Sequence, residues 1–191
     1  MADYFLTVPF VTQLDFGSPT QPMRDYTGCW YASACMVNYY FEAGPRKGLP
    51  RLYNQSDVLT DTGNPSKTYT NNYHSAIDPG DFDELAANEG LEFVPLPTNN
   101  QWTPGRLDAL LREFGPLAFG WYKTANGHSY GHFSVVCGIK SGPDRVLYHD
   151  PEKAANSVMS LADFNANFAW LPGGMMRRKK AGSGKVKLSG G

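Results

Sequence analysis

Residues 28–41 read GCWYASACMVNYYF, and this stretch decides the predicted fold. Apolar and aromatic residues recur along it at helical spacing, small residues fill the gaps between them, and Gly44-Pro45 closes the run. The pattern predicts a mostly buried helix whose first turn contains Cys29. The glycine before this cysteine lets the chain turn tightly into the helix.

A cysteine in the first turn of a helix is a candidate nucleophile. Unpaired N–H groups and the helix dipole favour a negative charge there, and with a neighbouring imidazolium they lower the pKa of a thiol from about 8.5 to roughly 3.5–7.5. The alternative interpretation of Cys29 is a small buried core residue, which describes most cysteines. Cys35, in the middle of the predicted helix, and Cys137, inside the apolar run HFSVVCGI, are predicted to be inert packing residues.

The cysteine count also bears on metals and disulfides. Three cysteines do not make a disulfide framework, and their spacing matches no zinc pattern. We therefore predict free thiols in a compartment that tolerates them, no metal site and no cofactor.

His132 is the preferred candidate for the base that activates the thiol. It follows Gly131 and opens the apolar run HFSVVCGI, so its ring can project at the edge of a sheet. Such a base needs an acceptor on its second ring nitrogen. Asp150 ends the next predicted strand, and the separation of 18 residues suits two adjacent strands joined by a tight turn. The alternatives are a structural histidine and a plain Asp-Pro strand end. The other three histidines are at positions 74, 128 and 149.

The order of the predicted elements, helices first and strands second, indicates an α+β domain. Thr103 and Ser160 are predicted N-caps of two of the helices. We predict one domain over residues 1–176 and a flexible basic tail over 177–191. Besides the helix at Cys29, the predicted elements are helices over 81–88, 104–114 and 161–168, a short helical turn near 54–60, an extended segment over 5–13, and strands over 116–122, 131–140 and 145–149.

Charge is distributed unevenly along the chain. Six of the 17 basic residues lie in 177–191, which leaves 11 against 18 acidic residues elsewhere, a charge of about −7. An acidic body with a short basic tail does not fit a nucleic-acid binder. No stretch approaches the roughly 18 apolar residues of a membrane span, and the first residues do not read as a secretory leader. We expect a cytoplasmic protein, or one exported by a leaderless specialised route.

Four segments taken together resemble papain-like bacterial cysteine proteases. That group includes effector proteases of plant-pathogenic bacteria and the peptidase domains of bacteriocin exporters that cut after double glycine. Its pattern is an oxyanion-hole Gln, a Cys-Trp or Cys-Gly helix start, a Gly-His strand and an Asp-Pro strand end. The matching segments are VPFVTQ at 8–13, GCWYASACMV at 28–37, GHFSVVCGI at 131–139 and HDP at 149–151.

The resemblance implies a papain-like fold, in which a helical lobe with the nucleophile at a helix N-terminus packs against a twisted antiparallel β-sheet lobe. It implies Cys29 as the nucleophile, His132 as the base and Asp150 as the residue that orients the base. A cleft between the lobes would bind an extended peptide or protein substrate. Trp30, Trp121 and Tyr130 flank the motifs and could line this cleft.

The oxyanion residue is the one departure from the pattern. The family's Gln lies some six residues before the nucleophile, where this chain has Met23. Two glutamines are candidates, Gln13 inside the matching VPFVTQ segment and Gln21 nearer to Cys29. We favour Gln13, with residues 14–27 as an inserted loop.

The resulting expectation is a cysteine protease that hydrolyses peptide bonds through a Cys-His-Asp triad and a thioester acyl-enzyme, as a bacterial effector or processing peptidase. The first alternative is a Cys-His amidase or deamidase acting on peptidoglycan peptides or on protein Gln. The second is a catalytically dead papain-like binding module. The presence of all three triad residues argues against the second alternative.

Overall fold

The helix predicted from Cys29 is present, and ten of its 12 residues are buried. The computed structural model describes residues 3–13, 16–18, 21–23, 27–42, 47–49 and 76–180. Within these ranges the helices are α1 (Cys29–Tyr40), α2 (Phe82–Glu89), α3 (Pro104–Phe114) and α4 (Leu161–Asn167), with a 3₁₀ turn at Pro79–Asp81 before α2. The strands are β1 (Tyr4–Phe5), β2 (Phe16–Ser18), β3 (Gln21–Met23), β4 (Leu91–Phe93), β5 (Leu117–Ala125), β6 (His128–Lys140), β7 (Arg145–His149), β8 (Ser157–Ser160) and β9 (Met175–Arg178).

Seven of these strands form one antiparallel sheet in the order β4-β9-β5-β6-β7-β8, with β1 added to β6. β2 and β3 pair with each other as a separate hairpin, inside the stretch predicted as an inserted loop. Helices and an antiparallel sheet make an α+β fold, which confirms the predicted class. None of the described helices is long and apolar enough to cross a membrane.

The sheet separates two apolar clusters. α1 packs on one face, where Phe133, Val135 and Cys137 of β6 meet its buried side chains. α3 and α4 contribute to the cluster on the other face, which contains Phe119 of β5 and Phe164 of α4. Because alternate residues of a strand point to opposite faces, β6 supplies both clusters. This long central strand is the support on which the site is built.

Two predicted helix caps are confirmed. The Thr103 hydroxyl accepts the N–H of Arg106 at 3.2 Å, and the Ser160 hydroxyl accepts the N–H of Asp163 at 3.0 Å. These bonds satisfy N–H groups that have no acceptor inside the helix. The helix predicted over 81–88 is observed at Phe82–Glu89, one residue later.

The central hairpin is longer than predicted. β5 continues to Ala125 and β6 begins at His128, so both strands extend into residues 123–130, which lie between the two predicted strands. Asn126 and Gly127 connect them with φ angles of 51° and 78°. An Asn-Gly pair accommodates two positive φ values, and this turn matches the twist of paired strands. The strand end predicted at 122 and the strand start predicted at 131 therefore missed the tight turn at 126–127.

The N-terminal segment pairs with the part of β6 that lies past the first residue of β5. Tyr4 and Phe5 pair with Ile139 and Gly138. A Cβ on Gly138 would lie 2.5 Å from that of Phe5, so the close approach requires glycine. The predicted extended segment over 5–13 is thereby held against the sheet.

The boundary of the basic tail differs from the prediction. Arg177 and Arg178, its first two residues, belong to β9, which pairs with β4 and β5. Arg177 also bonds Glu92 at 2.8 Å. The four-residue strand was missed because it is too short to show a strand period. Residues 181–191 and the helical turn predicted near 54–60 lie outside the described residues.

Candidate active site

Cys29 occupies the first position of α1, and Gly28 is the N-cap residue. The residue is 8% exposed, and its Sγ accepts the backbone N–H of Phe133 at 3.3 Å. The N–H groups in the first turn of a helix have no acceptor within the helix. The helix end and the Phe133 N–H therefore both favour a thiolate at this position.

The pairing of β6 explains why the thiol lies there. Phe133 faces Gly120 of β5, but Gly120 directs its own N–H and C=O to the segment after α4. The pair is therefore not hydrogen-bonded, and the N–H of Phe133 points to the opposite edge of β6. β7 pairs with β6 only from Val135 onwards. At Phe133 the thiol of Cys29 takes the place of an acceptor on β7.

His132 and Asp150 form a buried hydrogen-bonded pair. Nε2 of His132 lies 2.7 Å from Oδ1 of Asp150, and the two residues are 3% and 0% exposed. The edge of the Trp121 ring packs on the imidazole with 5.8 Å between centroids, and its Nε1 donates to Ser134 at 3.0 Å. Because Nε2 is bonded to the carboxylate, Nδ1 is the ring nitrogen available for proton exchange.

The carboxylate of Asp150 is part of a larger network. Lys123, 5% exposed, donates to Oδ2 of Asp150 at 2.8 Å and also to the carboxylate of Glu152. The Tyr130 hydroxyl donates to Glu152 at 2.7 Å, and the Glu152 N–H donates to Oδ1 of Asp150 at 3.0 Å. Both oxygens of Asp150 are therefore engaged.

Hydrogen bonds and neighbouring charges keep the carboxyl groups of Asp150 and Glu152 ionised. Burial raises the pKa of Asp150, but hydrogen bonds and charges from His132 and Lys123 outweigh burial and lower that pKa to about 2. Burial also opposes ionisation of Glu152, yet hydrogen bonds from Lys123 and Tyr130 lower its pKa. Burial and the neighbouring Glu152 raise the pKa of Tyr130, so its hydroxyl stays a neutral donor. The network is an array of ion pairs near neutral pH.

The same carboxylates raise the question of a metal. His132, Asp150 and Glu152 each place one ligand atom within 4.8 Å of the others. The ammonium of Lys123, bonded to both carboxylates, already supplies a positive charge between them. We therefore interpret this cluster as an ion-pair network.

A cleft of about 410 Å³ runs past Cys29 and His132. It lies between the start of α1, the 3₁₀ turn before α2 and the β5–β6 hairpin. Its lining contains aromatic and aliphatic side chains and, among the described residues, none from Asp, Glu, Lys or Arg. The three aromatic residues proposed from the sequence as cleft residues, Trp30, Trp121 and Tyr130, all line it. The apolar walls favour an uncharged substrate side chain next to the thiol.

The two candidate glutamines lie in different parts of the chain. Gln13 is 1% exposed, and its N–H donates at 2.9 Å to the carbonyl of Pro151, the residue after Asp150. The hydroxyl of Thr12 donates to the same carbonyl at 2.9 Å. The backbone at Gln13 is thus tied to the strand end that carries Asp150. Gln21 lies in β3, opposite Ser18.

The remaining cysteines are buried in the core, as predicted. Cys35 is 4% exposed and Cys137 2% exposed. All three cysteines are free thiols. Burial raises the pKa of Cys137 to about 12, so this thiol stays protonated at neutral pH.

The other histidines have different surroundings. His149 accepts the N–H of Asn156 on Nδ1 at 3.1 Å, so its Nε2 donates to the carbonyl of Val8 at 2.9 Å. This ring joins the N-terminal segment to the sheet. His128, which lies outside the predicted strands, begins β6 and is exposed. His74 lies outside the described residues.

Sequence reasoning missed Lys123 and Glu152. A signal for Lys123 was present, since residues 121 and 123 of one strand share a face and Trp121 was already proposed near the site. Tyr122 between them is 50% exposed, whereas Lys123 is buried. Glu152 gave no such signal, because it lies in the turn after β7, where side chains do not alternate between two faces as they do in a strand.

A thiol at a helix N-terminus beside a buried His–Asp pair on an antiparallel sheet is the arrangement of papain-like cysteine peptidases. The chain belongs to the family of the papain-like cysteine protease AvrRpt2, whose sequence model matches residues 10–169. It is therefore a cysteine-type peptidase, a hydrolase that acts on peptides or proteins. The expected papain-like fold and enzyme class are confirmed, and the match also includes residues 41–114, which the short motifs left uncovered.

Proposed function

We propose that Cys29, His132 and Asp150 are the catalytic triad of this peptidase. The main support is the 2.7 Å bond between Nε2 of His132 and the buried Asp150, together with the cleft that His132 and Cys29 both line. That bond fixes the tautomer and the ring plane of the base. The helix end and the Phe133 N–H favour the thiolate.

The chemistry follows from these positions. The Cys29 thiolate attacks the peptide carbonyl carbon, and the carbonyl electron pair moves onto oxygen to give a tetrahedral oxyanion. The oxyanion collapses to a thioester as the C–N bond breaks, and the His132 imidazolium gives its proton to the leaving amine. His132 then takes a proton from water, which attacks the thioester and releases the acid and Cys29. Asp150 stays ionised and stabilises the imidazolium throughout.

We assign the oxyanion donor to Gln13. Its burial and its backbone bond to Pro151 support a fixed position near the strand end of Asp150. A side-chain amide aimed at the developing negative charge would stabilise the tetrahedral oxyanion.

Thiol replacement tests the triad. A proteome-derived peptide library is incubated with wild type and with Cys29→Ala, Cys35→Ala and Cys137→Ala, and new N-termini are identified by mass spectrometry. Cys29→Ala is expected to be inactive, whereas the other two variants remain within a few-fold of wild type. An active Cys29→Ala, or a folded but inactive Cys35→Ala, would refute the assignment.

The same experiment separates peptidase from amidase. Family membership favours a peptidase, which creates new N-termini, whereas a deamidase converts Gln to Glu and leaves the chain intact. The resemblance of the motifs to effector and processing peptidases supports a bacterial enzyme of that kind. Its preferred substrates are then expected to carry uncharged side chains that fit the apolar cleft.

A further inference from the structure

Lys123 is a buried cation beside the His132–Asp150 pair. It faces Tyr130 across the hairpin, as Trp121 faces His132, so all four side chains lie on one face of the sheet. The ammonium bonds Asp150 at 2.8 Å and also bonds Glu152. A buried charge needs such partners, because leaving it unpaired is strongly unfavourable.

Each oxygen of Asp150 has its own partners. Oδ1 accepts from His132 at 2.7 Å and from the Glu152 N–H at 3.0 Å, while Oδ2 accepts from Lys123 at 2.8 Å. The carboxylate cannot rotate without losing one of these bonds. Lys123 thereby fixes the plane in which Oδ1 meets the imidazole.

A cation this close also opposes the chemistry. His132 must be an imidazolium to protonate the leaving amine, and the Lys123 charge on the same carboxylate repels that form. Glu152 bonds Lys123 and lies within 4.8 Å of the ligand atom of His132. His132, Asp150, Lys123 and Glu152 carry no net charge when His132 is protonated, whereas removing the charge of Glu152 would make them positive.

We propose that Lys123 and Glu152 are a pair of positioning residues, in which Lys123 fixes the carboxylate that orients His132 and Glu152 offsets the charge of Lys123. The pair deepens the proposed function and rests on the proposed triad. Within the described part of the chain, the charged or titratable groups around the imidazole are Lys123 from β5, Tyr130 from β6, Asp150 and Glu152 from the turn after β7, and the thiol of Cys29 from α1, which lines the same cleft. Tyr130 is neutral, so Lys123 and Glu152 are the charged members of this described group that lie outside the triad.

Charge removal tests the pair through two pH measurements. Glu152→Gln keeps an acceptor for Lys123 and Tyr130, and Lys123→Met keeps the length of the side chain. NMR of isotope-labelled histidine follows the imidazole of His132, identified by its absence in His132→Ala. The alkaline limb of kcat/KM is measured on a peptide cleaved in the library experiment.

The two single variants are expected to shift in opposite directions. Glu152→Gln lowers the midpoint of the imidazole signal and the alkaline limb by about one pH unit, because a negative charge near 5 Å is lost. Lys123→Met raises both by a similar amount. It also lowers kcat by about 10- to 100-fold with KM within a few-fold, because Oδ2 of Asp150 loses the hydrogen bond from Lys123 that fixes the carboxylate. The double variant returns both midpoints to within a few tenths of the wild-type values.

The exposed pair Glu113–Lys180, 2.8 Å apart, provides matched controls. Neither residue lines the cleft, and Glu113→Gln and Lys180→Met make the same charge changes without moving the midpoints. Circular dichroism confirms that each variant is folded. If Lys123→Met does not fold, Glu152→Gln decides the question alone.

The possible failures are distinguishable. Folded Glu152→Gln with wild-type midpoints, or single variants that shift in the same direction, would overturn the pairing of Lys123 and Glu152. The triad would still stand if Cys29→Ala and His132→Ala were inactive. Activity in either of those two variants would instead refute the triad itself.

Discussion

At the scale of single residues, the triad that we propose assigns unequal tasks to His132 and Asp150. His132 must exchange a proton at Nδ1, which no neighbour can do in its place. Asp150 orients the ring and stabilises its charge, and water or a backbone carbonyl can partly replace it. His132→Ala is therefore expected to be as inactive as Cys29→Ala. Asp150→Ala should retain measurable peptide cleavage, on the order of 10²–10⁴-fold below wild type.

Thiol alkylation reports on the same pair without a substrate. Wild-type Cys29 should react with iodoacetamide well below pH ~8.5, because the helix end and an imidazolium favour the thiolate. In His132→Ala the midpoint should rise towards the free-thiol value. An unchanged profile would show that a base other than His132 partners the thiol.

The oxyanion assignment gives a separate prediction. Loss of one oxyanion donor lowers turnover by about 10²–10³-fold, and we expect this loss for Gln13→Ala. Gln21→Ala, in the hairpin of β2 and β3, should change kcat little. The opposite result in peptide-cleavage assays would move the donor to Gln21.

Chemistry at the residue scale could be predicted where a residue type and a local pattern coincide. Cys29 follows a glycine at a helix start and His132 follows a glycine at a strand, so both could be proposed from the sequence as candidate site residues. The contacts of Lys123 and Glu152 with Asp150 arise from the pairing of β5 with β6 and from the turn after β7. These contacts depend on the strand register, which the residue types alone do not reveal.

At the scale of elements, β9 determines where the chain can be shortened. Met175 and Met176 are fully buried, and Arg178 donates to the side chain of Asn38 and, at 3.3 Å, to the carbonyl of Glu89. A chain ending after Gly174 is expected not to fold, because it loses both buried methionines and a strand between β4 and β5.

A chain ending after Lys180 should behave differently. Residues 181–191 are mostly Gly, Ser and Lys, with Val186 and Leu188 as the larger apolar side chains. Their removal should leave melting temperature and peptide cleavage nearly unchanged. A fall of many degrees would show that they contribute to the fold.

Helices were easier to predict than strands. α3 has a capping Thr103, Pro104 and a stop at Gly115, and its predicted span is the observed one. β4, β8 and β9 have three or four residues each, too few to show an alternating pattern. These strands are stabilised by pairing with strands that are distant in the sequence, and the local sequence does not indicate that pairing.

At the scale of the whole molecule, stability should depend on pH at both ends of the range. Asp150 has a folded-state pKa of about 2 against 3.8 as its ordinary value. Its contribution is therefore present above pH 3.8 and is lost as the pH falls towards 2. Burial raises the pKa values of Tyr148 and Cys137 to about 12 from 10.0 and 9.0. Their contributions are complete below pH 9 and are lost as the pH rises towards 12.

The acid limb can be assigned to the active-site network by one substitution. The free energy of unfolding, measured with denaturant between pH 5 and pH 2, should fall in wild type by an amount to which Asp150 contributes about 1–2 kcal/mol. Asp150→Asn removes that titration, so its curve should start lower and decline less. Tyr148→Phe serves as the matched control, because it should leave the acid limb unchanged and flatten the alkaline one. Equal acid slopes in wild type and Asp150→Asn would show that the carboxylate network is not coupled to folding.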